Sequence, residues 1–271
     1  MDLQLNGKVA LITGSSKGIG EAVAKGLPQE GATVIVHGRD RNAAEQVKEQ
    51  IVSEGGDAHC ATGDLTIEKD VAALVAEAQR LGGAIGILIN NAGGSGPGED
   101  WSNASPQSWV STYDRNVIAA LRVTNAVLPG MRLAKWGRVI NISSLAGLMP
   151  PAVNPDYSAA KAAMLAMTAS MARAVAAEGV TVNAVSPGTI HSAKLDMKFR
   201  EVAVKHGVAA DATWREVETV VLPFCTGASE PGRYTARDRG CRRLPRQPPS
   251  RLYHRIKYSP GWRDAPYDLK I

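Results

Sequence analysis

Short apolar runs alternate with longer, polar-faced stretches from residue 8 to residue 185. Lys8–Thr13 is an apolar run with no helical period and predicts a buried parallel strand. Thr33–His37, Asp57–Ala61, Ile85–Ile89, Gly137–Ser144 and Val180–Val185 predict five more strands. Helices are predicted between them at Ile19–Leu27, Asn42–Glu54, Glu68–Leu81 and Pro106–Met131, and through the strong helix formers that follow Tyr157. Strand and helix in regular alternation predict an α/β chain: a doubly wound parallel sheet with helices on both faces.

Candidate chemistry concentrates in residues 141–161. Tyr157 and Lys161 are four apart, so on a helix they share a face and the ammonium can sit beside the phenol. A free tyrosine titrates near ~10, and a neighbouring cation is expected to lower that value. The pair therefore reads as a tuned proton donor and acceptor. Ser144 lies thirteen residues before Tyr157, at the end of a predicted strand, with Ser143 as the rival hydroxyl. Near the N-terminus, Gly14–Gly20 forms a glycine turn between a strand and a helix. Such a turn lets backbone approach a phosphate closely, and the helix start offers free N–H groups and a positive dipole end.

Together, Thr13-Gly14-Ser15-Ser16-Lys17-Gly18-Ile19-Gly20, Asn90-Asn91-Ala92-Gly93, Asn141-Ile142-Ser143-Ser144, Tyr157 through Lys161 and Pro187-Gly188 resemble the short-chain dehydrogenase/reductase family in order and spacing. The resemblance covers residues 5 to roughly 222 and implies a Rossmann-like single catalytic domain. It implies NADP(H)-linked hydride transfer between a ketone and a secondary alcohol, of carbonyl reductase or 3-oxoacyl-thioester reductase type. The implied catalytic residues are Asn116, Ser144, Tyr157 and Lys161. Ser144 would polarise the substrate oxygen, Tyr157 would exchange the proton, Lys161 would lower the tyrosine pKa and hold the nicotinamide ribose, and Asn116 would kink its helix and support a proton relay.

Cofactor contacts are implied at Gly14, Ser16, Lys17, Gly18, Ile19, Gly20, Arg39, Asp64, Leu65, Asn91, Ala92, Gly93, Tyr157, Lys161, Pro187, Gly188 and Ile190. The position where an acidic residue would bind the adenosine ribose and favour NAD is Gly38, with Arg39 beside it and Lys17 in the glycine turn. These two cations suit a 2′-phosphate. The alternative is that they are solvated and Asp40 reads the ribose. Asp64 either accepts from the adenine amine or caps the helix that follows. His37 reads as strand packing or an adenosine-rim contact. Pro28 predicts an early end to its helix. Gly94–Gly98 reads as a loop bordering the substrate and His191–Val208, with Lys194, as a mobile lid.

Composition adds three bounds. Cys60, Cys225 and Cys241 have no metal or redox spacing, which predicts a reducing cytosol, a cytoplasmic location and no disulfide framework. No metal is expected. Neither a signal peptide nor an apolar run of ~18 residues is visible, so no membrane partner is expected. The net charge of +5 belongs to the end of the chain: residues 1–229 hold 20 Lys+Arg against 22 Asp+Glu, whereas residues 230–271 hold 11 against 4. A basic tail can contact nucleic acid or anionic membrane, but no nucleic-acid partner is expected. The expected partners are a small carbonyl or alcohol substrate and further copies of the chain, since the family implies a homotetramer or dimer.

The tail departs from the family. Eight arginines between Arg233 and Arg255, and six prolines from Pro231 on, replace the family's last helix and strand. Written GCC-CGA-GAT-CGC-GGA, Ala236–Gly240 reads Pro-Glu-Ile-Ala one base later, and permissible codons beyond it give Tyr-Ile-Thr-Gly. The tail thus reads as out-of-frame translation after a slip around residues 222–232. On that reading the product binds NADP(H) with a disturbed tetramer and impaired catalysis.

Overall fold

A computed structural model describes residues 3–96, 100–188, 190 and 193–226. Six strands, β1 (Val9–Ile12), β2 (Thr33–Gly38), β3 (Ala58–Thr62), β4 (Ile85–Asn90), β5 (Gly137–Ile142) and β6 (Val180–Val185), form one sheet in the order β3-β2-β1-β4-β5-β6. Every pairing is parallel. The order reverses between β1 and β4, which opens a crevice at their carboxyl ends. This is the doubly wound, Rossmann-like arrangement expected from the alternating pattern.

Alternate strand residues feed two cores. Leu11 and Ile35 pack on one face with Val71, Leu74 and Ala78 of α3 (Glu68–Gly82) and Val123, Val127 and Met131 of α5 (Ala119–Leu133). Ala10, Ile12, Val34 and Val36 pack on the other face with Ala24 of α1 (Gly18–Gly26) and with Ala44, Val47 and Ile51 of α2 (Arg41–Ser53). With both faces covered, the central strand β1 is apolar throughout, whereas β6 at the sheet edge alternates buried and exposed residues.

α1 stops at Gly26, and Pro28 starts a 3-10 turn over Leu27–Glu30, the early end expected of it. Between β4 and β5 the sequence predicts one helix. The structure has α4 (Pro106–Tyr113), a π-helical segment over Asp114–Ile118, and α5. α6 (Pro155–Val175) follows β5, and α7 (Ala193–Lys205) and α8 (Trp214–Thr226) follow β6. α7 and α8 share a small core of Ala203, Val217 and Val221, with the Phe199 and Trp214 rings stacked at 6.3 Å.

A buried polar ladder ties the layers beside the crevice. Asn90 Nδ2 donates to Thr124 Oγ1 at 3.0 Å and to Asn141 Oδ1 at 2.9 Å, and Asn141 Nδ2 donates to Thr168 Oγ1 at 2.8 Å. One chain of hydrogen bonds thus joins β4, α5, β5 and α6. No described helix is long and apolar enough to cross a membrane. The Arg/Pro-rich segment 230–271 lies outside the described residues.

Candidate active site

The crevice is closed at its base by two loops that hold each other. Thr13 Oγ1 accepts from Asn91 N and Ala92 N, both at 3.0 Å. Asn91 Nδ2 returns two bonds, to Thr13 O at 2.9 Å and to Gly14 O at 3.0 Å. Glycine is required by the closeness of this contact. A Cβ at Gly20 would lie 2.4 Å from Asn91 Nδ2 and 2.6 Å from Gly14 O, and Gly14, at φ +64°, approaches Ala92 to 2.9 Å by the same measure.

Gly18, at φ +62°, opens α1, whose N-cap residue Lys17 makes no side-chain bond to the first turn. A helix start left uncapped at the mouth of the crevice, with open space over Gly18, fits the phosphates of a dinucleotide. Lys17 and Arg39 are exposed at this rim. Asp40 is occupied otherwise: it is the N-cap of α2, and its Oδ1 accepts from Ala43 N at 3.2 Å. Gly38 leaves room for Ser16, since a Cβ there would lie 3.0 Å from Ser16 Oγ. Asp64 is not a helix cap, because Ile67 holds that position in α3. Its Oδ1 closes a turn on Thr66, at 2.9 Å to the N–H and 2.7 Å to the hydroxyl, and those bonds hold its carboxyl below the usual range. Leu65 beside it is buried.

Ser144, Tyr157 and Lys161 gather at the other end, with Asn116 one glycine away. Pro155 starts α6 after Asn154, which has left-handed backbone, and Tyr157 and Lys161 follow on one face. The ammonium, however, turns to the end of β5. Lys161 Nζ donates to Ile142 O at 2.8 Å and lies 5.6 Å from the Tyr157 ring centre. Burial pulls its pKa from 10.5 to about 8. Burial also raises the Tyr157 pKa, and the lowering influence on it is a hydrogen bond with Ser144. The net direction is opposite to the lowering expected from Lys161: burial of the phenol outweighs the pull of the nearby ammonium, which is engaged by Ile142 O.

Ser144 follows β5 in extended backbone and caps the turn Leu145–Gly147, accepting from Ala146 N at 3.2 Å. Ser143, one residue earlier, is buried and donates to Lys161 O at 2.8 Å. Of the two serines, Ser144 therefore meets the tyrosine and Ser143 anchors α6 to β5.

Asn116 sits inside the π segment and is wholly buried. Its Nδ2 donates to Thr112 O at 2.8 Å and to Gly94 O at 3.0 Å, and its Oδ1 accepts from Gly94 N at 3.0 Å. Gly93 lies between Asn116 and Lys161: a Cβ there would stand 2.4 Å from Asn116 Oδ1 and 3.6 Å from Lys161 Nζ. Opposite, Pro187 O accepts from Leu145 N at 2.8 Å, which brings the Pro187-Gly188 turn against Ser144, and Ile190 is exposed beyond it. His191 and the side chain of Lys194 lie outside the described residues. Among the described residues no cluster of three His, Cys, Asp or Glu could hold a metal.

Sequence reasoning missed two supports of this site. Arg122 Nη1 donates to Asp114 Oδ1 at 2.8 Å and to Leu65 O at 3.3 Å, tying the π segment to the Asp64-Leu65 turn. Asn90, which ends β4, and Asn141, the last polar residue of β5, were the visible signal for the buried ladder.

A family model described as short chain dehydrogenase matches residues 8–203. The 3-oxoacyl-acyl-carrier-protein reductase FabG of Pseudomonas aeruginosa is 37% identical over 188 residues, covering 69% of this chain and 76% of its own. The D-beta-hydroxybutyrate dehydrogenase of Cupriavidus necator is 34% identical over 217 residues, covering 79% and 82%. Among solved structures, the L-sorbose reductase of Gluconobacter frateurii complexed with NADPH and L-sorbose superposes with a TM-score of 0.73 at 29% identity, over 78% of this chain and 80% of its own. An NAD+-bound xylitol dehydrogenase superposes at 0.71 with 30% identity, over 80% and 83%.

Proposed function

The chain belongs to the short chain dehydrogenase family, and we propose that it transfers a hydride reversibly between NADP(H) and a ketone or secondary alcohol. One observation carries this reading. The Ser144 hydroxyl meets the Tyr157 phenol in a corner shared with Lys161, at the carboxyl end of β5, in the same sheet whose β1 leads through the glycine turn into the uncapped start of α1.

When bound, the nicotinamide supplies or accepts the hydride. Each residue then has a physical task. Burial keeps Tyr157 protonated at neutral pH, so it has a proton to give to the carbonyl oxygen. Ser144 orients and polarises that oxygen. Lys161, with a pKa of about 8, is charged at neutral pH and favours the phenolate left behind. Asn116 fixes the Gly93-Gly94 backbone beside Lys161 and supports the proton relay. Ser16, Gly18, Ile19, Gly20 and Asn91–Gly93 line the path of the phosphates and ribose, Asp64-Leu65 the adenine, and Pro187, Gly188 and Ile190 the nicotinamide.

The exposed pair Lys17 and Arg39 supports NADP(H) over NAD(H), and Asp40, engaged as a helix cap, supports the same choice. The sorbose reductase carries NADPH and the xylitol dehydrogenase NAD+. The rim cations align this chain with the first. Its other partners on this reading are a small carbonyl or alcohol substrate and further copies of the chain, in the cytoplasm. The test is NADPH consumption against a panel of ketones and 3-oxoacyl thioesters. Substrate-dependent consumption supports the reading.

A second reading rests on the composition of residues 230–271: the chain binds NADP(H) but is catalytically impaired. Restoring the reading frame of the encoding DNA and comparing turnover separates the two. A large gain in turnover with unchanged cofactor affinity favours impairment.

A further inference from the structure

His37 ends the apolar run of β2 and is 2% exposed, yet both ring nitrogens are engaged. Gly14 N donates to its Nδ1 at 3.0 Å, and its Nε2 lies 3.1 Å from Gly63 O. A backbone N–H can only donate and a carbonyl can only accept. Nδ1 must therefore be the bare nitrogen and Nε2 must carry the proton. The ring is a neutral bridge between the glycine turn and the Gly63-Asp64 turn. The backbone of His37 adds to the joint: its N–H donates to Ser15 Oγ at 2.9 Å, its carbonyl accepts from Ser15 N at 2.8 Å, and Ser15 Oγ donates to Ile12 O at 2.7 Å.

We propose that His37 is a positioning residue of the cofactor site, a neutral imidazole clamp that sets the glycine turn against the Asp64 turn and holds the adenosine-phosphate pocket open only while uncharged. A second proton on Nδ1 would point at the Gly14 N–H and break the bridge. Gly14 is the residue whose left-handed backbone starts the turn into α1, so its displacement moves the N–H groups presented to phosphate. The charged groups facing the ring are Asp64, from the turn after β3, and Arg39, from the end of its own strand. The glycine turn faces it through the Gly14 backbone and the Ser15 hydroxyl. Burial disfavours the charged ring and keeps the clamp closed at neutral pH. This inference rests on the cofactor reading above.

Three variants separate the parts. His37→Asn keeps an acceptor near the Nδ1 position and cannot charge. His37→Gln reaches toward Gly63. His37→Leu removes both bonds and orphans the Gly14 N–H. Calorimetric titration with NADP+ is run from about pH 7.5 down to about pH 4.5, past the range in which a free histidine titrates, and heteronuclear NMR reads the imidazole nitrogens of the ligand-free chain. His37→Leu is expected to bind about tenfold more weakly at the higher pH. His37→Asn is expected to stay within about threefold of the parent there, and to show a smaller acid fall in affinity than the parent, since only the part due to the ligand's own phosphate, which gains a proton near ~6, remains. NMR is expected to give the Nε2–H tautomer persisting below the titration range of a free histidine. Equal affinities for His37→Leu and the parent, or the same acid fall in His37→Asn and the parent, would overturn the proposal. A parent chain that binds no NADP+ overturns the cofactor reading itself, whereas a binding parent with indifferent variants overturns only the clamp.

Discussion

The ammonium of Lys161 is 2.8 Å from the carbonyl oxygen of Ile142 and 5.6 Å from the centre of the Tyr157 ring. The lysine is therefore anchored to the sheet, close to the tyrosine without forming an ion pair with it. It brings a cation into a buried corner, where burial raises the tyrosine pKa and keeps the phenol protonated.

The burial of that ammonium has a stability cost of known sign. Lys161 falls from 10.5 to about 8, which corresponds to about 3 kcal/mol. Below about pH 8 both folded and unfolded chains are protonated and the full cost is present. It is relieved as pH rises from about 8 toward 10.5. Lys161→Met removes the cost but leaves Ile142 O unpaired, an offset of about 1 kcal/mol. Urea denaturation is expected to find the variant more stable by about 1–2 kcal/mol at neutral pH, with the gap narrowing at alkaline pH, and inactive throughout. A variant less stable than the parent at neutral pH would contradict this account.

Two glycines of the nucleotide turn are expected to respond differently. Gly20→Ala forces a Cβ to 2.4 Å from Asn91 Nδ2 and 2.6 Å from Gly14 O, so the two loops must separate. Gly18→Ala meets open space and suffers only the left-handed backbone, about 1–2 kcal/mol. Cofactor binding should be lost in the first and retained, weakened, in the second. Equal binding by both would remove the argument for loop contact.

On the proposed reading, Arg39 carries the cofactor preference. Arg39→Ala is expected to weaken NADPH binding about tenfold, as loss of one charge-assisted bond implies, and to leave NADH binding unchanged. The difference should shrink at high salt, since the site is exposed. A parallel loss for both cofactors would assign Arg39 a structural role.

Asn116→Leu strands Gly94 N, Gly94 O and Thr112 O. A loss of about 2–4 kcal/mol is expected, with faster hydrogen exchange at Gly94 than at the α5 core. Exchange unchanged at Gly94 would show that the loop is held by something else.

The fold was legible because its central strands are buried on both faces and leave apolar runs that alternation with helices makes distinctive. The glycine turn was legible because only glycine tolerates the approach of Asn91 to Gly20. The π segment was not legible from composition, since Asp114–Ile118 reads as ordinary helix; only the resemblance placed a kink at Asn116, and the wider π turn accompanies a clamp on a distant residue, Gly94. Spacing put Tyr157 and Lys161 on one face, but which acceptor captures the ammonium depends on where β5 ends, a tertiary fact. His37 offered only a polar residue ending an apolar strand. Its partners are 23 and 26 residues away, and no local pattern joins them.

The most direct test of the account is Tyr157→Phe, assayed for NADPH binding and for turnover of any ketone the parent reduces. Removal of the phenolic oxygen takes away the proton and spares the nucleotide turn, so binding within about threefold of the parent and turnover lower on the order of a thousandfold are expected. Near-parental turnover would contradict the assignment of Tyr157 as proton donor and, with it, the proposed reaction.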